Sequence, residues 1–420
     1  MSEAPEAIEK EAEFDLAKIT GSVQPKGDVF SRRHDGSTFD YDGSLSNQDF
    51  DELLKWAAER KASDVTIQTD EKVKAEIGGE IVPITRRPLT TPEVENIVRY
   101  VYGDHGPGRL IAGYDLDPSH EVRMGKDGLR RYRVNCTSVR VPGGNGIQIT
   151  IRTLPTAPIK LKDLGIEQEI YDNISPNQGM ILVTGPTGSG KSTLLSSIIR
   201  EIVEKPDANK KILEYSTPIE YVYDGVPMPS SSVAQTEVGR QLRPADGEGR
   251  DTNESLYAYA VRNALRRKPH IIVIGEARDK ATIQASVEAA LTGHLLYSTL
   301  HVIGVAETLR RAVQPFPGDE RSAMAVDIMQ SMRMIVTQLL FPRKGGGRVA
   351  CREFMIFDDR TRARFLNKHV DEWPSFARKL MAERSVVSRK MSESAWRLFK
   401  AGDISADIYK SIVAAERDKA

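Results

Sequence analysis

Between residues 46 and 60 apolar side chains recur at helical spacing, with Phe50, Leu53, Leu54 and Ala57 on one stripe, which predicts an amphipathic helix. A strand-like rhythm follows. Val65, Ile67, Val73, Ala75, Ile77, Ile81, Val82 and Ile84 surround Gly78-Gly79, the pattern of a β-hairpin. Helical spacing returns over 92–102, and Arg131–Arg140 and Gly146–Arg152 read as two more strands. Residues 46–155 therefore predict a small α+β domain. Pro155 and Pro158 open a linker over 156–178. From Gly179 the pattern changes: short apolar runs (Met180–Val183, Lys211–Tyr215, Ile271–Ile274, Leu295–Ser298) alternate with helical segments at 191–204, 254–267 and 280–291. Buried runs alternating with helices give a parallel sheet with helices on both faces, so 179–370 is expected to be an α/β domain. Residues 371–420 read as charged amphipathic helices beyond that core. Residues 1–45 are poor in apolar side chains and acidic at the start, which predicts a flexible extension. Within it Ile8, Phe14, Leu16 and Ile19 suit either a short docking helix or a solvated tail.

Composition narrows the function classes. A chain of 420 residues exceeds one ordinary core. Lys plus Arg and Asp plus Glu balance at 59 each, so the chain as a whole carries no electrostatic footprint for nucleic acid, and no direct nucleic-acid binding is expected. Cys136 and Cys351 are the only cysteines and cannot build a disulfide framework or a cysteine-based metal site. No apolar run approaches the ~18 residues of a membrane-spanning helix, and the N-terminus lacks the basic-then-apolar order of a leader. The expected location is cytoplasmic, with any work at a membrane done peripherally through partners.

The clearest chemistry lies at Gly185-Pro186-Thr187-Gly188-Ser189-Gly190-Lys191-Ser192, which fits the P-loop pattern between an apolar strand and a helix carrying Leu194, Leu195, Ile198, Ile199 and Ile202. Gly185, Gly188 and Gly190 let successive backbone N–H groups converge on phosphate oxygens. The helix N-terminus adds a partial positive charge. Lys191 suits the β- and γ-phosphates and Ser192 a Mg²⁺ ion. The predicted nucleotide-binding set ends at Thr193, and ATP with Mg²⁺ is the expected ligand pair.

A P-loop requires acids nearby. Glu276 follows the buried strand Ile271–Ile274 through Gly275, at the end of the strand that faces a nucleotide, and is a candidate for Mg²⁺ or water orientation. Glu220 follows Lys211–Tyr215 through Thr217-Pro218 and is a candidate general base. His294 and His301 bracket Leu295–Thr299, and both are expected along the sheet edge near the γ-phosphate. Zinc is a poor reading, since no third or fourth ligand accompanies them.

These blocks, in this order, resemble the secretion ATPases of type II and type IV machines. Within that superfamily they resemble the PilT-like branch, nearest in look to the ATPases of Dot/Icm-type IVB secretion and IncI-type plasmid transfer. The resemblance spans roughly residues 50–370. It rests on Ala62-Ser63-Asp64-Val65-Thr66, Arg131-Tyr132-Arg133-Val134-Asn135 with Arg140, the P-loop, Pro218-Ile219-Glu220-Tyr221, Gln235-Thr236-Glu237-Val238-Gly239, Ile274-Gly275-Glu276-Ala277-Arg278-Asp279, and Thr292-Gly293-His294 through Thr299-Leu300-His301. It implies a PAS-like N-terminal domain, a RecA-like ATPase domain and a homo-hexameric ring working with inner-membrane secretion or transfer proteins. It implies catalytic roles for Glu220 and Glu276, for His294 and His301, and for Arg133 and Arg140 as arginines offered to the nucleotide by the N-terminal domain. Arginine suits that role because its fixed charge offsets phosphate charge in the transition state. One departure stands out: Ser216-Thr217 occupy the place of a Glu-Asp pair. Pilus retraction, and a nucleotide-binding scaffold with little hydrolysis, are the alternatives.

Overall fold

The computed structural model describes residues 37–124, 128–155, 157–245 and 255–417. The docking-helix positions Ile8, Phe14, Leu16 and Ile19 lie outside the described residues.

The first domain is built on an antiparallel sheet of β1 (Asp64–Gln68), β2 (Lys74–Ile77), β3 (Glu80–Pro83), β4 (Ser119–Arg123), β5 (Leu129–Val141) and β6 (Gly144–Leu154), in the order β3-β2-β1-β6-β5-β4. Gly78 and Gly79 turn the β2–β3 hairpin with φ of 62° and 87°, a left-handed pair that side chains other than glycine resist. The helices Asn47–Glu59 and Thr91–Tyr102 cover the sheet with the stripe that the periodicity predicts: Phe50, Leu53, Leu54 and Ala57 are buried. β4 and the short helix Gly106–Ile111 were not evident from the pattern, because both are short, the strand is polar and the helix opens on Gly-Pro-Gly. The described end of the expected N-terminal extension is packed. Phe39 N–H donates to the Ile84 carbonyl at 2.7 Å, and Leu45 is buried with its N–H on Glu93 Oε1 at 2.7 Å. The domain thus reaches back to Phe39 rather than beginning at residue 46.

The second domain carries β7 (Gly179–Thr184), β8 (Lys211–Ser216), β9 (Ser232–Glu237), β10 (Ile271–Ile274), β11 (Leu295–Leu300), β12 (Met332–Pro342), β13 (Arg348–Ile356) and β14 (Ser388–Arg389). The order is β14-β13-β12-β7-β11-β10-β8-β9, parallel from β12 to β9, with β13 and β14 antiparallel at one edge. β7, β10 and β11 are buried along their whole length, which explains their unbroken apolar runs. One core layer holds Met180, Leu182, Leu213, Tyr215 and Ile272. The layer on the other face holds Ile181, Val183, Ile212 and Val273 under the helix Lys191–Val203.

Two stretches outside the expected domain belong to it. The predicted linker places Leu161, Ile170 and Ile174 in the core beneath the P-loop helix. The C-terminal helices do not lie beyond that core as expected: Trp373, Ala377 and Leu380 enter the main core, and Met391, Ala395, Ile404 and Ile412 pack over Phe341 and Cys351. Among the described residues no helix is long and apolar enough to cross a membrane.

Candidate nucleotide site

β7 delivers the chain to the C-terminal edge of the sheet, where Gly185, Gly188 and Gly190 adopt φ of 143°, 76° and 81°. A Cβ on Gly185 would lie 2.4 Å from the Gln338 carbonyl oxygen, and one on Gly190 would lie 2.9 Å from the Gln338 side-chain nitrogen. These two glycines let the loop lie flat against β12. At Gly188 nothing lies within 4 Å, so only its backbone angle calls for glycine. Gln338 Nε2 donates to the Ser189 carbonyl at 2.7 Å, and its Oε1 accepts from Arg352 Nε at 2.7 Å. Arg352 is buried, and its remaining nitrogens reach Glu167 Oε2 at 3.1 Å and the Leu164 carbonyl at 3.1 Å. The back of the P-loop is therefore held by a buried polar chain that ends in the segment before β7.

Lys191 is buried, with Nζ donating to the carbonyls of Gly185 and Pro186 at 2.9 Å each. Burial lowers its pKa, while Glu220 and Glu276 pull it back up, so both carboxylates stand within Coulombic reach of the ammonium. A cleft of about 430 Å³ joins Lys191, Ser192 and Thr193 to Glu220, Glu276 and His301. His301 Nε2 lies 3.9 Å from Glu276 Oε1, and its Nδ1 lies 3.5 Å from Thr187 Oγ1. It thus bridges the P-loop and the acid after β10. Thr193 Oγ1 and the Tyr221 hydroxyl share a hydrogen bond of 2.7 Å, which ties the P-loop helix to the segment carrying Glu220.

His294 does not join them. β11 runs parallel to β7 in the register Leu295↔Gly179 to Leu300↔Thr184. His294 precedes that strand and His301 follows it, so the two histidines sit at opposite edges of the sheet, about 20 Å apart at ~3.3 Å per residue. His294 Nδ1 is 3.1 Å from the Ala289 carbonyl at the end of the helix Lys280–Leu291.

The residues fit a triphosphate with a divalent cation. Ser189 Oγ is buried without a hydrogen-bond partner among the described residues, and the oxygens of Ser192 and Glu276 suit a hard cation. The family profile described as "Type II/IV secretion system protein" matches residues 42–370. The chain belongs to this family. The type IV pilus retraction ATPase PilT of Pseudomonas aeruginosa is 32% identical over 309 residues, covering 73% of this chain and 82% of that one. Among solved structures, the Legionella pneumophila ATPase DotB is 41% identical with a TM-score of 0.82, covering 90% of this chain and 99% of that one. The pilus retraction motor PilT with bound ADP is 28% identical with a TM-score of 0.71, covering 86% of this chain and 96% of that one.

In this secretion-family chain the two N-terminal arginines named by the resemblance lie outside this cleft. Arg133 is exposed, 3.9 Å from Asp117, and Arg140 is exposed on the far end of β5; neither lines the cleft of its own chain. The arginine that does reach the second domain is Arg131. It is buried, and donates to the carbonyls of Ile219 at 2.9 Å and Glu220 at 3.2 Å, while its Nε donates to Glu121 at 3.1 Å. It clamps the backbone that presents Glu220. Its place beside Arg133 in one motif was visible in the sequence, but the burial that separates their roles was not. Glu214 was also missed, because it sits inside an apolar run and reads as part of a buried strand.

Proposed function

We propose that this chain hydrolyses ATP and powers a type IVB-like secretion or conjugative transfer apparatus as a homo-hexameric ring at the cytoplasmic face of the inner membrane. The observation that carries the reading is the convergence of Lys191, Glu220 and Glu276 in one cleft at the mouth of a glycine-built loop. In this reading the backbone of Gly185–Thr193 cradles the phosphates, and Lys191 leaves its loop carbonyls for the β- and γ-oxygens. Glu220 polarises the attacking water, with its backbone held by Arg131. Glu276, steadied by His301, orients groups around the γ-phosphate. Ser192 and Glu276 would hold Mg²⁺, which supplies Lewis-acid stabilisation of phosphate charge. Arg133 and Arg140, exposed and outside the cleft of their own chain, serve a neighbouring subunit's nucleotide. Partners are the inner-membrane proteins of the apparatus, with no direct nucleic-acid contact. The extent of the likeness to DotB, covering 90% of the chain, favours secretion or transfer. The identity to PilT favours pilus retraction as the second reading.

The test is Lys191→Ala in the full chain. It is expected to fold, to bind ATP with magnesium weakly and to turn over at background. Wild-type turnover in that variant overturns the site, and a wild-type protein that binds ATP without hydrolysing it supports a scaffold instead.

A further inference from the structure

β8 alternates cleanly. Leu213 and Tyr215 point into one core layer, while Ile212 points into the other, beneath the P-loop helix. Glu214 and Ser216 follow Ile212 on that second face, and both line the nucleotide cleft. Glu214 is buried, where an apolar residue would simply extend the layer, and burying a carboxylate costs free energy that packing alone does not return.

The hydrogen bonds show what it does there. Ser216 Oγ donates to Glu214 Oε1 at 3.0 Å, and Gln235 Nε2 donates to Glu214 Oε2 at 2.9 Å. The other Gln235 hydrogen goes to the Tyr221 carbonyl at 2.7 Å, so this amide can offer Glu214 only a donor. A serine hydroxyl has one hydrogen. Ser216 spends it on Glu214, so only lone pairs remain for the cleft.

We propose that Glu214 and Ser216 act together as a hydrogen-bond acceptor in the wall of the cleft, orienting water for ATP hydrolysis. Glu214 is a positioning residue acting through Ser216, and the inference rests on the ATPase reading above. The charged and titratable groups facing it are Arg131 from β5, and Glu220 and Tyr223 from the segment after β8. Burial raises its pKa to about 7; the bonds from Gln235 and Ser216 and the charge of Arg131 oppose that rise, and Glu220 adds to it. Above that pH Glu214 is ionised and Ser216 is an acceptor. Below it Glu214 carries its own hydrogen, and Ser216 is free to turn its hydrogen into the cleft.

Glu214→Gln tests this in the full chain. With Gln235 supplying a donor, the new amide must turn its NH₂ toward Ser216, whose hydrogen then faces the cleft. The expected result is a kcat loss of about tenfold or more with KM for ATP little changed. Ser216→Ala, at a partly exposed position, is expected to lose kcat similarly and to lower Tm only modestly, since Gln235 still bonds Glu214. Adding Ser216→Glu to Glu214→Gln supplies an acceptor directly, recovers kcat and moves the acid limb of the kcat–pH profile from near 7 to lower pH. Wild-type kcat in either single variant, or losses confined to KM, overturn the inference; if Glu214→Gln fails to fold, Ser216→Ala decides. Lys191→Ala separates the two levels: turnover there overturns the ATPase site, whereas a silent Lys191→Ala beside an unaffected Ser216→Ala overturns only the Glu214–Ser216 pair.

Discussion

At the residue scale the P-loop was legible because its backbone demands are spelled out in glycine. The structure divides those demands into two kinds, and the difference is measurable. Gly188→Ala meets no atom and suffers only the left-handed backbone, a cost of about 1 kcal/mol. Gly185→Ala must also displace the Gln338 carbonyl, 2.4 Å away, and overpacking against backbone adds roughly 1–3 kcal/mol. Urea unfolding midpoints should rank wild type above Gly188→Ala and Gly188→Ala above Gly185→Ala; equal midpoints for the two variants would remove the proposed contact with β12. The paired histidines were less legible. Apolar pattern marks a strand but weighs its two flanks alike, whereas in a parallel sheet only the C-terminal flank faces the site. Chain direction separates His301 from His294, and symmetry about the strand conceals it. Glu214 was hidden for another reason: one acid among Ile212, Leu213 and Tyr215 does not break the reading of a buried strand, and only its partners Gln235 and Ser216 reveal a satisfied polar group.

At the element scale the parallel strands and their helices emerge close to where periodicity puts them, with Lys191–Val203, Leu256–Leu265 and Lys280–Leu291 against expected segments at 191–204, 254–267 and 280–291. The connection before β7 does not. Pro155 and Pro158 announce a linker, yet Leu161, Ile170 and Ile174 anchor its later part in the core. Arg352 of β13 explains much of that anchoring, since it joins Gln338 behind the P-loop to Glu167 and the Leu164 carbonyl. A buried arginine cannot be read from alternation, because its partners lie far away in sequence. Arg352→Met removes one side of a buried pair and leaves Glu167 only Arg389, 3.8 Å away, which is expected to cost about 3 kcal/mol. Adding Glu167→Gln should recover part of that loss, as a double-mutant cycle from chemical denaturation would register. Additive losses would mean that the two side chains are not energetically coupled.

Across the whole molecule, the described residues join the two domains through polar contacts and attach the C-terminal helices through apolar ones. Arg131 crosses to the Glu220 backbone, and Ser119 Oγ donates to Glu237 Oε2 at 3.2 Å. The C-terminal helices are attached differently, in a way that their charge-rich composition hid. Trp373, Ala377 and Leu380 complete the main core, whereas Met391, Ala395, Ile404 and Ile412 form a satellite cluster on the ends of β12 and β13. Two truncations should therefore differ in kind. Ending the chain after Val370 deletes core side chains and is expected to give insoluble protein. Ending it after Lys390 keeps Trp373 and Leu380, removes the helices Met391–Lys400 and Ala406–Arg417, and uncovers Phe341 and Cys351. Losing the burial of the satellite side chains, at about 1.5–3 kcal/mol for each large apolar one, should leave a folded but less stable protein that binds a hydrophobic dye. Thermal melts and size exclusion of the two truncations check this directly. A chain ending at Lys390 with the full-length Tm would show that the helix pair contributes nothing to the fold, and would return it to the role of a detached extension.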